Sequence, residues 1–298
     1  MKVAFVDSGA GGLIFALDCL HFAQKTQPLP DDLKIIHIGD LKNMPYGLKS
    51  AQELYVLAGN IIKKASVLGA NLVFVACNTM ATVIDEEMIE NFAKMNVKIV
   101  TLIEKSAAYL YKKHLNLGGN IAILSTKRTM VSQRYYNFIL EMHKMHNSVG
   151  NLSILPYAPI DWEQKIEAGV AKSAINAIVI EHLDRFRAIS GKDFEDISCI
   201  GLFCTHYPYF QAEIKQYFEK NTNFGQKVQI ISQGEIFAED LLLFTKKYCK
   251  SGNAMHKISI RSYITNKNTA YMENIMMDLH DNIDVKCEFI EDNFSILS

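Results

Sequence analysis

The fold of this chain is decided by two stretches, Val73-Phe74-Val75-Ala76-Cys77-Asn78-Thr79 and Ile200-Gly201-Leu202-Phe203-Cys204-Thr205-His206. Each is a continuous apolar run that ends at a cysteine and is followed at once by small polar residues. Such a run, flanked by helical patterns, is typical of a strand buried on both faces of a parallel sheet. Ligands of these sheets bind just beyond the carboxyl ends of the strands. The sequence therefore predicts two thiols at strand ends, where chemistry is usually done.

Strand and helix patterns alternate along the chain, beginning with a strand at 3–6 and a helix at 11–22. Apolar residues at three- and four-residue steps predict a helix over 50–68, and Gly69 ends it. Three later tracts also have helical character: 131–146, 164–189 and 271–279. This alternation implies mostly parallel sheets with right-handed crossovers. The pattern predicts about nine or ten strands, which is more than a single open sheet usually holds. Two similar three-layer α/β domains are therefore expected.

Composition limits the class of protein. The 298 residues are 49 % hydrophobic and 21 % charged, with 31 basic and 32 acidic side chains and a net charge of −1. This balance argues against nucleic acid and anionic membranes as partners. We find neither a signal peptide nor a run of about 18 apolar residues that could span a bilayer. The six cysteines lack CxxC spacing and are expected to be free thiols in a cytoplasmic protein.

Two loops could bind anions. Asp7-Ser8-Gly9-Ala10-Gly11-Gly12 follows the first strand, and its glycines allow a tight turn and close approach of a small carboxylate. Ile14 stands where a dinucleotide fingerprint needs glycine, and no P-loop lysine follows. Pro45-Tyr46-Gly47 could offer a phenol and a backbone N–H to a second anionic group. A purely structural turn remains the alternative for both loops.

The paired cysteine motifs allow several interpretations. Both thiols could be buried packing residues, as we expect for the other four cysteines, but polar neighbours argue against this. A zinc site of Cys199, Cys204 and His206 lacks a CxxC partner set, and strand alternation points Cys199 away. A Cys–His hydrolase would leave Cys77 unexplained. Helix N-termini after both cysteines would favour thiolate, and His206 could share a proton with Cys204.

Two thiols facing one substrate suit a reversible two-base isomerase. One base removes the proton from a carbon next to a carboxylate, and an acid on the opposite face returns a proton with inversion. Loop N–H groups would offset the charge of the carbanion-like transition state. This chemistry needs no cofactor and no metal.

Four motifs resemble glutamate racemase in order and spacing. They are Asp7-Ser8-Gly9-x-Gly11-Gly12-Leu13, Pro45-Tyr46-Gly47, Ala76-Cys77-Asn78-Thr79 and Cys204-Thr205-His206-Tyr207-Pro208. That family belongs to the cofactor-independent aspartate/glutamate racemases. The resemblance implies two α/β domains with a pseudo-twofold axis and the active site in the cleft between them. It also implies a homodimer that makes D-glutamate for peptidoglycan.

The resemblance assigns roles residue by residue. Cys77 and Cys204 would be the acid/base thiols, assisted by Asp7 and His206 respectively. Substrate-binding roles fall on Asp7, Ser8, Tyr46, Gly47, Asn78, Thr79, Thr205 and His206. Thr126 and Thr129 resemble the family's anion loop. The implied domains are 1–99 with 210–298, and 100–209.

Some residues depart from the family pattern. Phe203 replaces a glycine beside the second cysteine and is expected to tighten the site, and Ser232 replaces an aspartate. Either Asp161 or Glu163 is expected to support His206. An aspartate or broad-specificity racemase is therefore the nearest alternative, followed by a single-cysteine hydrolase and a non-catalytic amino-acid-binding protein.

Overall fold

The computed structural model describes residues 1–146, 152–249, 258–265, 272–273 and 285–292. The chain divides into two compact units, Met1–Leu102 with Gln233–Ser298 and Ile103–Ser232. The helix predicted over 271–279 lies, except for residues 272–273, outside the described residues. Within the described residues, no helix combines the length and the apolar character needed to cross a membrane.

The described strands form one sheet of six strands and one of four, all paired in parallel. The strands are β1 (Lys2–Asp7), β2 (Lys34–Gly39), β3 (Leu72–Val75), β4 (Lys98–Val100), β5 (Asn120–Ser125), β6 (Ile154–Tyr157), β7 (Ile197–Phe203), β8 (Gln229–Ser232), β9 (Ile258–Ile264) and β10 (Val285–Glu291). Helices connect most of them, and the predicted α/β class is confirmed.

The helices follow the predicted periodicity with two corrections. They are α1 (Gly11–Thr26), α2 (Ala51–Val67), α3 (Asn78–Ala81), α4 (Glu86–Ala93), α5 (Ile103–Leu117), α6 (Lys127–Ser132), α7 (Arg134–Met145), α8 (Trp162–Glu167), α9 (Lys172–Ser190), α10 (Gln211–Asn221) and α11 (Gln233–Tyr248). The single helix predicted over 131–146 is wrong, because Gln133 adopts φ 56° and separates α6 from α7. The tract over 164–189 is likewise broken after α8, where Gly169 has φ 75°.

Local sequence accounts for the bounds of α2. Ser50 caps its N-terminus, with the Ser50 hydroxyl accepting from the Glu53 N–H at 3.2 Å and the Ser50 N–H donating to Glu53 at 2.8 Å. This reciprocal pair is a capping box, which satisfies two donors at the helix start. Gly69, just past the C-terminus, takes φ 82°, as the sequence predicts.

The first unit contains the six-stranded sheet in the order β10-β9-β2-β1-β3-β4. Phe5 on β1 and Phe74 on β3 stack at 5.1 Å between ring centroids, and Phe15 of α1 packs on both. Phe237 of α11 closes this cluster from the C-terminal part of the unit. Buried aromatic surface thus joins the two chain segments that make up the unit.

The second unit contains the sheet β6-β5-β7-β8. Its last strand corrects the predicted boundary at 209/210, because Ile230 of β8 pairs with Ile200 of β7. Helix α10 packs on α9 of the same unit. The chain therefore returns to the first unit at Gln233, after β8 rather than before α10.

Close packing of α1 on α11 depends on Gly234. A Cβ there would lie 2.9 Å from the backbone carbon of Asp18 and 2.9 Å from the nitrogen of Cys19. Contacts this short with backbone atoms cannot be relieved by a side-chain rotation. Gly234 is therefore required by the approach of the two helices.

We predict that Gly234→Ala lowers the free energy of unfolding by about 1–3 kcal/mol or more, because overpacking forces α1 and α11 apart. Gly59→Ala is the matched control, since Gly59 lies within α2 and a Cβ there meets nothing within 4 Å. That change should stabilise the chain by about 0.5–1 kcal/mol through helix propensity. Urea unfolding of both variants measures the difference, and equal midpoints would contradict the packing role of Gly234.

Candidate active site

The carboxyl ends of three neighbouring strands bring together four predicted residues and Asp40, which was not predicted. Strand β1 lies between β2 and β3, with Asp7 opposite Gly39 and Val6 opposite Val75. Asp7 ends β1, Asp40 follows β2, and Cys77 follows β3. We call Asp7, Ser8, Asp40, Tyr46 and Cys77 the Cys77 cluster. Every member is at least nine-tenths buried.

Cys77 is the N-cap of α3. Its Sγ atom accepts a hydrogen bond from the Met80 N–H at 3.4 Å. A backbone donor aimed at sulfur stabilises the negatively charged thiolate more than the neutral thiol. The predicted helix start after this cysteine is therefore confirmed. A backbone N–H of its first turn donates directly to the sulfur.

Asp7 is held in place by the residue that follows it. Its Oδ1 accepts from the Ser8 N–H at 2.5 Å and from the Ser8 hydroxyl at 3.1 Å. Gly12 lets α1 approach this carboxylate, since a Cβ there would lie 2.6 Å from Asp7 Cβ and 2.9 Å from His37 Nε2. Gly12 therefore allows α1 to approach the protein's own Asp7 and His37 closely. The approach of a ligand carboxylate to this loop stays a prediction.

Tyr46 belongs to the same cluster through Asp40. The Tyr46 hydroxyl donates to Asp40 Oδ2 at 2.9 Å, and the Asn43 amide donates to the same oxygen at 2.8 Å. Burial, followed by the charges of Asp40, Cys77 and Asp7, raises the pKa of Tyr46 far above its ordinary value. Tyr46 therefore stays a neutral hydrogen-bond donor beside these acids. Gly47 follows it in the single 3₁₀ turn Tyr46–Leu48.

The two residues after Cys77 are buried in α3. The Asn78 amide donates to Gln233 Oε1 at 2.6 Å and accepts from Gln233 Nε2 at 3.1 Å. Thr79 is 3 % exposed. Neither Gln233 nor Asp40 is among the predicted site residues. Asp40 stands just past the apolar stretch that forms β2, which is a usable signal, whereas the pairing of Gln233 with Asn78 is visible only in the fold.

The second group lies at the carboxyl ends of β5, β6 and β7. Cys204 follows β7 and is 3 % exposed, and His206 is 4 % exposed. Glu163 and Glu167 project from α8, which follows β6. We call these four residues the Cys204 cluster.

The Cys204 cluster is a connected chain of polar groups. The Cys204 thiol donates to Glu163 Oε1 at 3.2 Å and lies 3.7 Å from His206 Nδ1. His206 Nε2 is 2.6 Å from Glu167 Oε1. The expectation that Asp161 or Glu163 supports His206 is therefore wrong, because the carboxylate on its ring is that of Glu167. Glu163 contacts the sulfur instead.

Helix α8 is fixed by its own set of contacts. Trp162 is fully buried and packs edge-on against Tyr207 at 5.2 Å and Phe210 at 5.4 Å. Asp161 binds His182 Nε2 at 2.6 Å and Lys165 at 2.6 Å. Burial raises the pKa of Asp161, but the hydrogen bond from Lys165 and the charge of His182 outweigh it, and the pKa lies below its ordinary value. These contacts set the positions of Glu163 and Glu167.

The remaining predicted residues of this unit are Thr205, Thr126 and Thr129. Thr205 is 5 % exposed, between Cys204 and His206. Thr126 caps α6 by accepting from the Thr129 N–H at 3.2 Å, and its hydroxyl donates to that of Thr129 at 3.0 Å. The two threonines thus bond to each other, and their anion-binding role stays a prediction.

The two departures from the family pattern are buried in the second unit. Phe203 stacks on Tyr135 at 4.2 Å between ring centroids, and a Cβ on Gly201 would lie 2.6 Å from the Phe203 ring. The ring thus fills the room that Gly201 leaves in the core. Ser232 is 2 % exposed at the end of β8.

Three of the other cysteines have raised pKa values. All six thiols are free. Burial raises the pKa of Cys199 to about 11 and that of Cys249 to about 11. Burial, with the charges of Glu273 and Glu288, raises the pKa of Cys287 to about 12. These three thiols stay protonated at neutral pH and suit the packing role predicted for them.

No family model matches this chain. The glutamate racemase of Clostridium botulinum is 31 % identical over 215 residues, which cover 72 % of this chain and 74 % of that protein. A solved glutamate racemase from Bacillus anthracis superposes with a TM-score of 0.71 at 22 % identity, covering 96 % of this chain and 97 % of that one. Glutamate racemase from Francisella tularensis, solved in complex with D-glutamate, gives 0.67 at 21 % identity and covers 97 % of both chains. The solved structures share the fold described above.

We predict that Glu167→Gln slows alkylation of Cys204 by iodoacetamide at neutral pH roughly tenfold. Glu167 holds the His206 ring at Nε2, and the ring in turn lies beside the Cys204 sulfur, where it can accept the thiol proton. Peptide mass spectrometry measures the rate at each cysteine, with Cys77 as the internal reference. Glu181→Gln, which removes a carboxylate from the exposed pair with Arg185, is the matched control. Equal Cys204 rates in both variants would contradict the coupling.

Proposed function

Because this chain belongs to the glutamate racemase family, we propose that it interconverts L- and D-glutamate by a cofactor-independent two-base mechanism. Its two acid/base groups are Cys77 and Cys204. The observation that carries the proposal is that both thiols are buried at the ends of parallel strands, where the Met80 N–H donates to Cys77 and where Glu163 and His206 contact Cys204. The contacts of Cys77 lie within the first unit and those of Cys204 within the second.

At Cys77 the proposed role is proton abstraction from one face of the α-carbon. The Met80 N–H favours the thiolate that such a base must be. Asp7, oriented by Ser8, supplies the carboxylate that assists the proton transfer. Tyr46 remains neutral and can donate a hydrogen bond, as can the backbone N–H of Gly47.

At Cys204 the proposed role is the complementary transfer on the opposite face. The Cys204 proton can move to or from His206 Nδ1, while Glu167 holds the ring through Nε2. Glu163 accepts from the thiol and orients the S–H bond. Because the reaction runs both ways, each thiol serves as base in one direction and as acid in the other.

Substrate binding is assigned to polar residues next to the thiols. Asp7, Ser8, Tyr46, Gly47, Asn78, Thr79, Thr205 and His206 would hold the two carboxylates and the ammonium group of the amino acid. N–H and O–H donors among them would offset the negative charge that develops at the α-carbon and its carboxylate. The relative solved with D-glutamate supports glutamate as the ligand. A homodimer, a cytoplasmic location and supply of D-glutamate for peptidoglycan are proposed from the family resemblance.

We predict that Cys77→Ser and Cys204→Ser each lower the rate of racemisation by about 10²–10⁴-fold, because a serine hydroxyl is a poor base at neutral pH. Each variant keeps one working thiol. In D₂O, Cys77→Ser should therefore exchange the α-proton of one glutamate enantiomer and Cys204→Ser that of the other, without inversion. Chiral chromatography with mass detection measures both quantities.

Cys249→Ser is the control for that experiment, since Cys249 lies at the end of α11 and its raised pKa keeps it protonated. It should retain full activity. A single-cysteine hydrolase predicts instead that Cys77→Ser keeps its activity, and a binding protein predicts no inversion by the unmodified chain. Either result would contradict the two-base proposal.

We predict that glutamate is racemised in preference to aspartate and that Phe203→Leu leaves this preference unchanged. Phe203 packs on Tyr135 and over Gly201 in the core. The substitution should instead lower the free energy of unfolding by about 1–2 kcal/mol. Ratios of kcat/KM for the two amino acids test the claim. A shift of the ratio toward aspartate in Phe203→Leu would show that the ring determines specificity.

A further inference from the structure

We propose that the Cys204 cluster is also a binding site for Zn²⁺, and that the ion inhibits the enzyme reversibly by occupying the second thiol. Glu163, Cys204 and His206 each offer one donor atom, and these three atoms all lie within 4.8 Å of one another. Thiolate, imidazole and carboxylate together are the ligand types that zinc prefers.

The separations of the donor atoms suit a tetrahedral ion. Bond lengths of about 2.3 Å to sulfur and about 2.0 Å to nitrogen or oxygen place the ligand atoms about 3.3–3.6 Å apart. Cys204 Sγ lies 3.2 Å from Glu163 Oε1 and 3.7 Å from His206 Nδ1. The distance between sulfur and nitrogen needs to shorten slightly. The Glu163 and His206 donor atoms lie within 4.8 Å of each other, a separation that the half-buried Glu163 side chain can adjust.

Glu167 supports the proposed site by contacting the ring nitrogen of His206 that faces away from Cys204. Its carboxylate accepts from His206 Nε2 at 2.6 Å, and the carboxylate is nearly as buried as the ring. Fixing the proton on Nε2 leaves the Nδ1 lone pair directed at the Cys204 side. Zinc-bound histidines almost always have such a partner on the other ring nitrogen, and it orients the ring and strengthens the ligand.

This donor set differs from the zinc site considered from the sequence. Cys199 lies inside β7, fully buried, and is not part of the group that the described residues form. Glu163 takes the place that Cys199 would have had. With three protein ligands the ion keeps one position open to water or to a substrate carboxylate.

Binding of the ion follows a simple proton balance. The Cys204 thiol releases its proton to solvent as the Zn–S bond forms, and no electrons are transferred. The sulfur can then neither accept nor donate a proton. Loss of racemisation follows from the proposed function, on which the inhibitory part of this inference rests. The binding part does not depend on it.

Binding is tested on the full chain after treatment with EDTA and buffer exchange. We expect one Zn²⁺ per chain by calorimetry, no binding of Mg²⁺, and a thiolate-to-metal absorption band with Co²⁺. Trp162, the single tryptophan of the chain, is adjacent to Glu163 and provides a fluorescence signal for the same titration. Cys204→Ser should abolish the Co²⁺ band, and Glu167→Gln should weaken Zn²⁺ binding about 10–100-fold.

Cys249→Ser is the matched control and should bind Zn²⁺ as the unmodified chain does. A Co²⁺ band that persists in Cys204→Ser, or Zn²⁺ affinity unchanged in both Glu163→Gln and Glu167→Gln, would overturn the site. Racemisation is measured in parallel with EDTA, with Zn²⁺, and with Zn²⁺ followed by EDTA. A chain that racemises glutamate but lacks the Cys204-dependent band refutes the zinc site alone. One that has the band but never racemises refutes the proposed function alone.

Discussion

Parallel pairing of buried strands is the constraint on which both thiol clusters depend. Inside the sheets, β1, β3 and β7 are covered on both faces and carry apolar side chains. Polar groups can therefore emerge only where the strands end, and parallel pairing places neighbouring ends at the same edge. Asp7 and Asp40 meet beside Cys77 for this reason, and Glu163 meets Cys204 beyond the ends of β6 and β7.

The two clusters support their thiols in different ways. Cys77 receives a backbone N–H from α3 and lies among acids and a neutral phenol. Cys204 has side-chain partners throughout, with His206 on one side, Glu163 on the other and Glu167 behind the ring. In the proposed two-base reaction, whose two directions begin with opposite enantiomers, each thiol would act from its own surroundings.

Much of this arrangement could be predicted from the sequence, because the signals are local. The apolar runs ending at Cys77 and Cys204 predict the strand ends, and His206 is two residues from its sulfur. Glu167 could not be found this way, since α8 is short and is set by the burial of Trp162 and by the contact of Asp161 with His182. The break at Gln133 carries no glycine signal. Gly169 does provide one just past α8, but the helical tract predicted over 164–189 continues through it.

The central claim is that one thiol removes the α-proton and a different thiol delivers the new one. The deuterium content of each glutamate enantiomer, measured early in the reaction in D₂O, tests this claim most directly. L-glutamate is incubated with the unmodified enzyme in D₂O, and both enantiomers are separated before a few per cent has reacted. Our account predicts that the D-glutamate formed carries deuterium at the α-carbon while the remaining L-glutamate carries none. D-glutamate that retains the original proton would show return by a single base and would contradict it.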